Sequence, residues 1–85
     1  MTLEELVAKY VENSERVFST IKVNQGSMAL SEEKIREIIQ SAKRYLEDAK
    51  YYRERRKLET SLASVAYCEG LLDALRFLGA VEFSW

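Results

Sequence analysis

Glu69, Asp73 and Arg76 stand at steps of four and three, a spacing that puts all three on one face of a helix. Two carboxylates and a guanidinium so placed have two chemistries open to them. Inward-facing acids of a helical bundle can hold a metal or activate water. Alternatively, Asp73 and Arg76 form an intrahelical ion pair, and the group acts as an ionic lock within the fold. A metal site needs more oxygen ligands than two. The remaining acids fall mainly on outward faces of the preceding helices, and Glu4-Glu5 and Glu32-Glu33 do not reproduce the paired-glutamate helix of bundle nucleotide pyrophosphohydrolases. The ionic lock is the simpler reading, with no catalytic residue, metal or cofactor assigned.

Histidine is absent from the chain. That removes the commonest general base and the commonest metal ligand, and with them a Ser-His-Asp triad, a Cys-His dyad and a histidine zinc site. A Gly-rich phosphate loop is missing as well. Cys68 is the lone thiol; inside an apolar helical run, a free cysteine behaves as a small hydrophobe. The expectation is a protein that is not an enzyme.

A second cluster with chemical potential is Lys50, Arg53, Arg55, Arg56 and Lys57, interleaved with Tyr51 and Tyr52. Residues 43–57 hold seven of the thirteen cations and three acids. Cations for phosphates and rings for stacking are what a single-stranded nucleic acid would meet. Against this, Glu54 interrupts the run, Tyr52 belongs to an apolar stripe, and cations are favoured at a helix C-terminus in any case. Formal net charge is −1, so no global field steers the molecule to nucleic acid or to anionic lipid.

Helices must position these groups. Proline is absent and glycine occurs three times in 85 residues, which favours long uninterrupted helices in one domain spanning 1–85. The first helix is expected over about 2–22. Thr2 and Glu5 have capping-box spacing, with Met1 and Leu6 at the staple positions. Leu3, Leu6, Val7, Tyr10, Val11, Val17, Phe18 and Ile21 form its apolar stripe, with Ser14 as the one polar member. Asn24-Gln25-Gly26-Ser27 is turn chemistry, followed by Met28 and Leu30. Ser31 is an N-cap, with Leu30 and Ile35 as its staple. The second helix, about 32–55, carries Ile35, Ile38, Ile39, Ala42, Tyr45, Leu46, Ala49 and Tyr52 on its apolar side.

Between Ser31 and Leu78, Gly70 is the one glycine, so a single helix of nearly fifty residues is conceivable. Phase argues against it. At about 100° per residue the second stripe, carried forward, leaves Leu58, Leu62 and Val65 on the polar side. A turn is therefore expected within Arg53-Glu54-Arg55-Arg56-Lys57, and a third helix over about 58–78, ended by Gly79. That helix is apolar nearly all round, with Tyr67 and the leucines expected to fill the core. Ala66, Gly70 and Ala74, extended by Ala63, would admit a neighbouring helix at close range. Glycine in mid-helix costs about 1 kcal/mol relative to alanine, and close approach would offset it. The tail ends in Phe83 and Trp85, which either fold back over the bundle or meet a partner. The expected architecture is an all-α, up-down-up antiparallel three-helix bundle.

The run Ala42-x-x-Tyr45-Leu46-x-Asp48-Ala49-x-Tyr51-Tyr52, then Ser64-Val65-Ala66-Tyr67-Cys68-Glu69-Gly70-Leu71-Leu72-Asp73-Ala74-Leu75-Arg76-x-x-Gly79, resembles the archaeal domain-of-unknown-function family 357. It covers about residues 42–79 and is most specific from Tyr67 to Ala74. Members often have Gly-Asp at the inter-helix turn, where this chain has Arg56-Lys57. The resemblance implies a small three-helix bundle of archaeal origin with no established activity. A looser similarity links the chain to helical domains that accompany minimal nucleotidyltransferases. Nuclease members of that group use an arginine and a histidine, and no histidine is present here.

The lone cysteine, the acidic start Met1-Thr2-Leu3-Glu4-Glu5 and the lack of an apolar run near the roughly 20 residues of a membrane helix together imply a cytoplasmic protein off the membrane. The functional expectation is a non-catalytic protein-interaction module, working with a protein partner or as a homo-oligomer. The alternative is an accessory domain of a nucleotidyltransferase-like or RNA-handling system that uses the basic face at 50–57.

Overall fold

Three helices pack along one another in the computed structural model, which describes residues 1–24 and 30–85. They are α1 (Leu3–Thr20), α2 (Glu32–Glu54) and α3 (Leu58–Phe77). Each lies within two residues of the bounds read from the sequence, and the architecture is the expected all-α three-helix bundle. Two short strands add to it: β1 (Lys22–Val23) pairs antiparallel with β2 (Val81–Glu82), Lys22 opposite Glu82 and Val23 opposite Val81. Strands of two residues have no periodicity to read, so periodicity could not announce them.

Local chemistry explains where the helices begin. Glu5 N–H donates to Thr2 Oγ1 at 3.1 Å while Thr2 N–H donates to Glu5 Oε1 at 2.9 Å, a complete capping box. The accompanying staple is not made, since Met1 is 82% exposed. Ser31 Oγ accepts from Lys34 N–H at 3.1 Å to start α2, and Leu30 packs against the cluster of Ile35, Leu75, Ala80 and Val81. Of the turn read at 24–27 and the apolar Met28, residues 25–29 lie outside the described residues. Asn24 is described, and it ties the segment after α1 to the segment after α3, beside the paired strands. Its N–H donates to Ala80 O at 2.9 Å and its Nδ2 to Gly79 O at 2.7 Å.

The ends of α2 and α3 share one device. After α3, Gly79 N–H donates to Arg76 O and Ala80 N–H to Leu75 O, with Gly79 at φ 74°. After α2 the same pair of bonds recurs, Arg56 N–H to Arg53 O at 3.0 Å and Lys57 N–H to Tyr52 O at 2.9 Å. Both are Schellman motifs, which need a left-handed residue just past the cap. At the first turn Arg56 supplies it, at φ 62°, a conformation that costs a side-chain-bearing residue about 1–2 kcal/mol.

Extents of 43 × 19 × 17 Å are about two helix diameters across. The core is accordingly a slender column. Val7, Val11 and Val17 of α1, Ala42, Leu46 and Ala49 of α2, and Val65, Cys68 and Leu72 of α3 fill it. A smaller cluster of Ile35, Leu75, Ala80 and Val81 closes the end where the strands pair. Among the described residues no helix is long and apolar enough to cross a membrane.

Candidate functional site

The ionic group near the end of α3 is roofed by the C-terminal tail. Arg76 Nη2 donates to Asp73 Oδ1 at 3.1 Å, and the same oxygen accepts from Trp85 Nε1 at 2.8 Å. Phe83 and Trp85 meet edge to face, centroids 5.0 Å apart, and the Arg76 guanidinium lies 5.4 Å from the Phe83 ring centre. Arg16 of α1 donates to Ser84 O at 3.3 Å and also to Trp85 O. Phe83 and Trp85 pack against the core. Of the two roles read for these aromatics, the tail takes the first, folding back over the bundle.

Glu69 stands outside this pair. Burial raises its carboxyl above the usual carboxylate range, and the nearby Asp73 charge adds to the rise. Among the described residues no cluster of three or more acids, cysteines or histidines could hold a metal ion. Two half-buried carboxylates, one already engaged by an arginine and an indole, make a poor cation cage.

Cys68 is completely buried. Burial pushes its thiol up to about 12; the neighbouring Ser14 hydroxyl pulls weakly the other way, and the Glu69 charge adds a little. Ser14 Oγ is itself buried and makes no hydrogen bond of good geometry, so its hold on the thiol is slight. A thiol in this setting is not a nucleophile at neutral pH.

The basic run lies along the seam between α1 and α2, where acids of α1 meet it. Lys50 Nζ pairs with Glu15 at 2.8 Å and with Glu47 at 3.8 Å. Arg56 grips Glu4 with two bonds, 2.8 and 3.1 Å. These contacts lower the Glu4 carboxyl and raise the Lys50 ammonium. Arg55 lies over the Tyr51 ring at 3.8 Å. Arg53 faces the same seam, near Glu4, Glu15 and Glu54. Lys57 is the N-cap of α3, exposed and without a side-chain cap bond. Glu4 and Glu15 fall outside the apolar stripe of α1, and nothing local in the sequence tells which helix they will face.

The outer face of α3 departs most from the sequence reading. Ala66, Gly70 and Ala74 were expected to admit a neighbouring helix of the bundle; all three are exposed. A Cβ built on Gly70 would meet none of the described residues within 4 Å. Tyr67, expected in the core, is 65% exposed and stacks on Tyr45 of α2, centroids 5.2 Å apart. Phe77 and Leu78 at the end of the same face are 77% and 73% exposed. The face that turns inward is Ser61, Val65, Cys68, Leu72 and Leu75, whose strict four-three alternation was the available signal. Ala63, Ala66, Tyr67, Gly70 and Leu71 line an open, almost wholly apolar recess instead.

A model of the family described as "Protein of unknown function (DUF357)" matches residues 9–81. No curated protein and no solved structure matches the chain.

Proposed function

The chain belongs to the DUF357 family, and we propose that within it this protein is a non-catalytic protein-interaction or self-associating module whose contact surface is the outer face of α3. One observation carries the reading. Tyr67, Phe77 and Leu78 stand in solvent beside the exposed small residues Ala63, Ala66, Gly70 and Ala74. Contiguous apolar surface of this kind marks contact sites on small proteins. α1 and α2 keep charged residues on their outer sides, whereas α3 has no charged residue between Glu59 and Glu69, and interface centres are depleted of charge in the same way.

A non-catalytic role fits the chemistry available. The sole thiol is buried and protonated, histidine is absent, and Asp73 serves an arginine and the tail. The lone unpaired cysteine suits a reducing, cytoplasmic setting, and the family resemblance suggests an archaeal source. The alternative, a nucleic-acid-handling accessory domain, has less behind it because Glu15 and Glu4 already neutralise Lys50 and Arg56.

Photo-crosslinking in expressing cells tests the reading. A benzophenone side chain at Ala74 should give a discrete protein adduct, of the chain with itself or with another protein. The same group at the exposed Glu37 of α2 should not. Equal, diffuse labelling from both positions, or none from Ala74, would overturn it.

A further inference from the structure

We infer that the occupant of this face is a second copy of the chain, held by antiparallel packing of α3 on α3 about a two-fold axis that passes between Gly70 and Ala74. The inference rests on reading the outer face of α3 as a contact surface and adds the identity and geometry of the partner.

The face is complementary to itself. Its N-terminal half is a recess floored by Ala63, Ala66 and Gly70. Its C-terminal end is a projection made by Phe77 and Leu78, both mostly in solvent, with the Arg76 guanidinium 5.3 Å from the Phe77 ring centre. Steps of three and four from Ala63 through Ala66, Gly70 and Ala74 to Phe77 keep recess and projection on one line. In a symmetric pair each contact occurs twice, residue i on j and j on i. Turning a second helix end for end about the Gly70–Ala74 midpoint sets Gly70 opposite Ala74, Tyr67 opposite Phe77, and Ala66 opposite Leu78. Large side chains then meet small ones or rings meet rings, and the two smallest pairs lie at the axis, where backbones approach most closely. A parallel pair would set Phe77 against Phe77 and leave the recess empty.

Gly70 supports the same arrangement. It costs its helix about 1 kcal/mol relative to alanine, and among the described residues nothing makes use of the missing Cβ. Close approach of a second helix would use it.

The area suffices. Tyr67, Phe77 and Leu78 leave 65%, 77% and 73% of their surfaces in solvent. With aromatics offering about 150–250 Å² each, these side chains and the small residues between them present roughly 500–600 Å² per copy. A symmetric pair then buries about 1,100 Å², just past the roughly 1,000 Å² that a specific interface needs. An interface of that size belongs with transient contacts rather than obligate ones.

Sedimentation velocity of the purified full chain from about 1 to 300 µM is the first test, with a monomer-to-dimer shift expected inside that range. Phe77→Glu should weaken the dimer about 30-fold or more, as loss of a buried aromatic anchor does. Gly70→Leu should do the same by blocking the axis. Both positions are exposed in the single chain, so the melting curve of a dilute sample should not fall. A second test reads the register: Gly70→Cys mixed with Ala74→Cys under mild oxidation should form the hetero-disulfide faster than either homo-disulfide. A strict monomer at 300 µM, a dimer indifferent to both substitutions, or preferred homo-disulfides would overturn the inference. If the chain is monomeric while the Ala74 photo-adduct persists in cells, the contact surface stands and only the second copy is wrong; if both are lost, the functional reading falls as well.

Discussion

The indole Nε1 of Trp85 donates to Asp73 Oδ1 at 2.8 Å, on the oxygen that Arg76 also reaches. This contact joins the end of the tail to α3 across twelve residues of chain. It makes the tail part of the fold, and it accounts for the acid without invoking chemistry. Trp85→Phe should cost about 1 kcal/mol through the lost hydrogen bond. Trp85→Ala should cost about 2 kcal/mol, less than the roughly 3–5 kcal/mol of a fully buried tryptophan. In a urea double-mutant cycle with Asp73→Ala, the two residues should couple by about 1 kcal/mol. Strict additivity would show that the contact is not formed in solution.

Two buried serines make opposite predictions. Ser61 Oγ donates to Ala49 O at 2.6 Å, joining α3 to α2, and Ser61→Ala should lower stability by about 1 kcal/mol. Ser14 is equally buried, yet among the described residues its Oγ makes no hydrogen bond of good geometry and has only the Cys68 thiol beside it. A buried hydroxyl with so poor a contact is a desolvation penalty with little set against it. Ser14→Ala should therefore leave stability unchanged or raise it by about 0.5–1 kcal/mol. The urea midpoints of the two variants should move in different directions, and a drop for Ser14→Ala as large as that for Ser61→Ala would contradict the assignment.

Cys68 should resist alkylation in the native protein. With its thiol pushed up to about 12 from 9.0, the thiolate at pH 8 is about 1,000-fold scarcer than at an unshifted site, since each unit is tenfold. Full burial adds a barrier to access. Labelling by iodoacetamide should be slow in buffer and fast in 6 M urea. Rapid native labelling would mean that the α1–α3 contact opens readily.

Glu69 sets a pH dependence whose sign follows from its raised carboxyl. The folded chain holds that proton at a pH where the unfolded chain has released it. Its contribution is therefore fully present below the ordinary carboxylate range and fades as pH rises through the raised value. Glu4 and Glu5 run the other way. Arg56 and Thr2 lower them, so their contribution is present above the ordinary range and is lost as pH falls through the lowered values. Glu69→Gln should raise the melting temperature at pH 7 and change little at pH 3, where both side chains are neutral. An equal shift at the two pH values would show that the effect is not electrostatic.

Much of the fold was legible because its signals are local. Thr2 with Glu5, and Ser31 with Leu30 and Ile35, each act within one turn of helix. The break between α2 and α3 was visible through phase alone: the residue that takes the left-handed conformation is Arg56, which has no turn signature, and its two bonds go to Glu4 of a helix 52 residues earlier. The inward face of α3 was not legible by hydrophobicity, because that helix is apolar on both sides. Small residues satisfied a close-packing pattern on the outside while Ser61, Val65, Cys68, Leu72 and Leu75 filled the inside. The same ambiguity hid the exposure of Tyr67, and it is what makes the outer face a candidate for contact.

Gly70 separates folding from association most cleanly. In a dilute, monomeric sample its helix gains nothing from the missing side chain, since a Cβ there would enter open space. Gly70→Ala should therefore stabilise the monomer by about 1 kcal/mol, through helix propensity and a less flexible unfolded chain. A domain of this length would show that as a rise of roughly 4–8 °C in melting temperature. At concentrations where copies pair, the added methyl sits at the closest approach of the two backbones, so the dimer should weaken while the fold strengthens. A melt followed from 1 to 300 µM should show the variant ahead at low concentration and its advantage shrinking as concentration rises. An advantage that stays constant over that range would place Gly70 outside any interface.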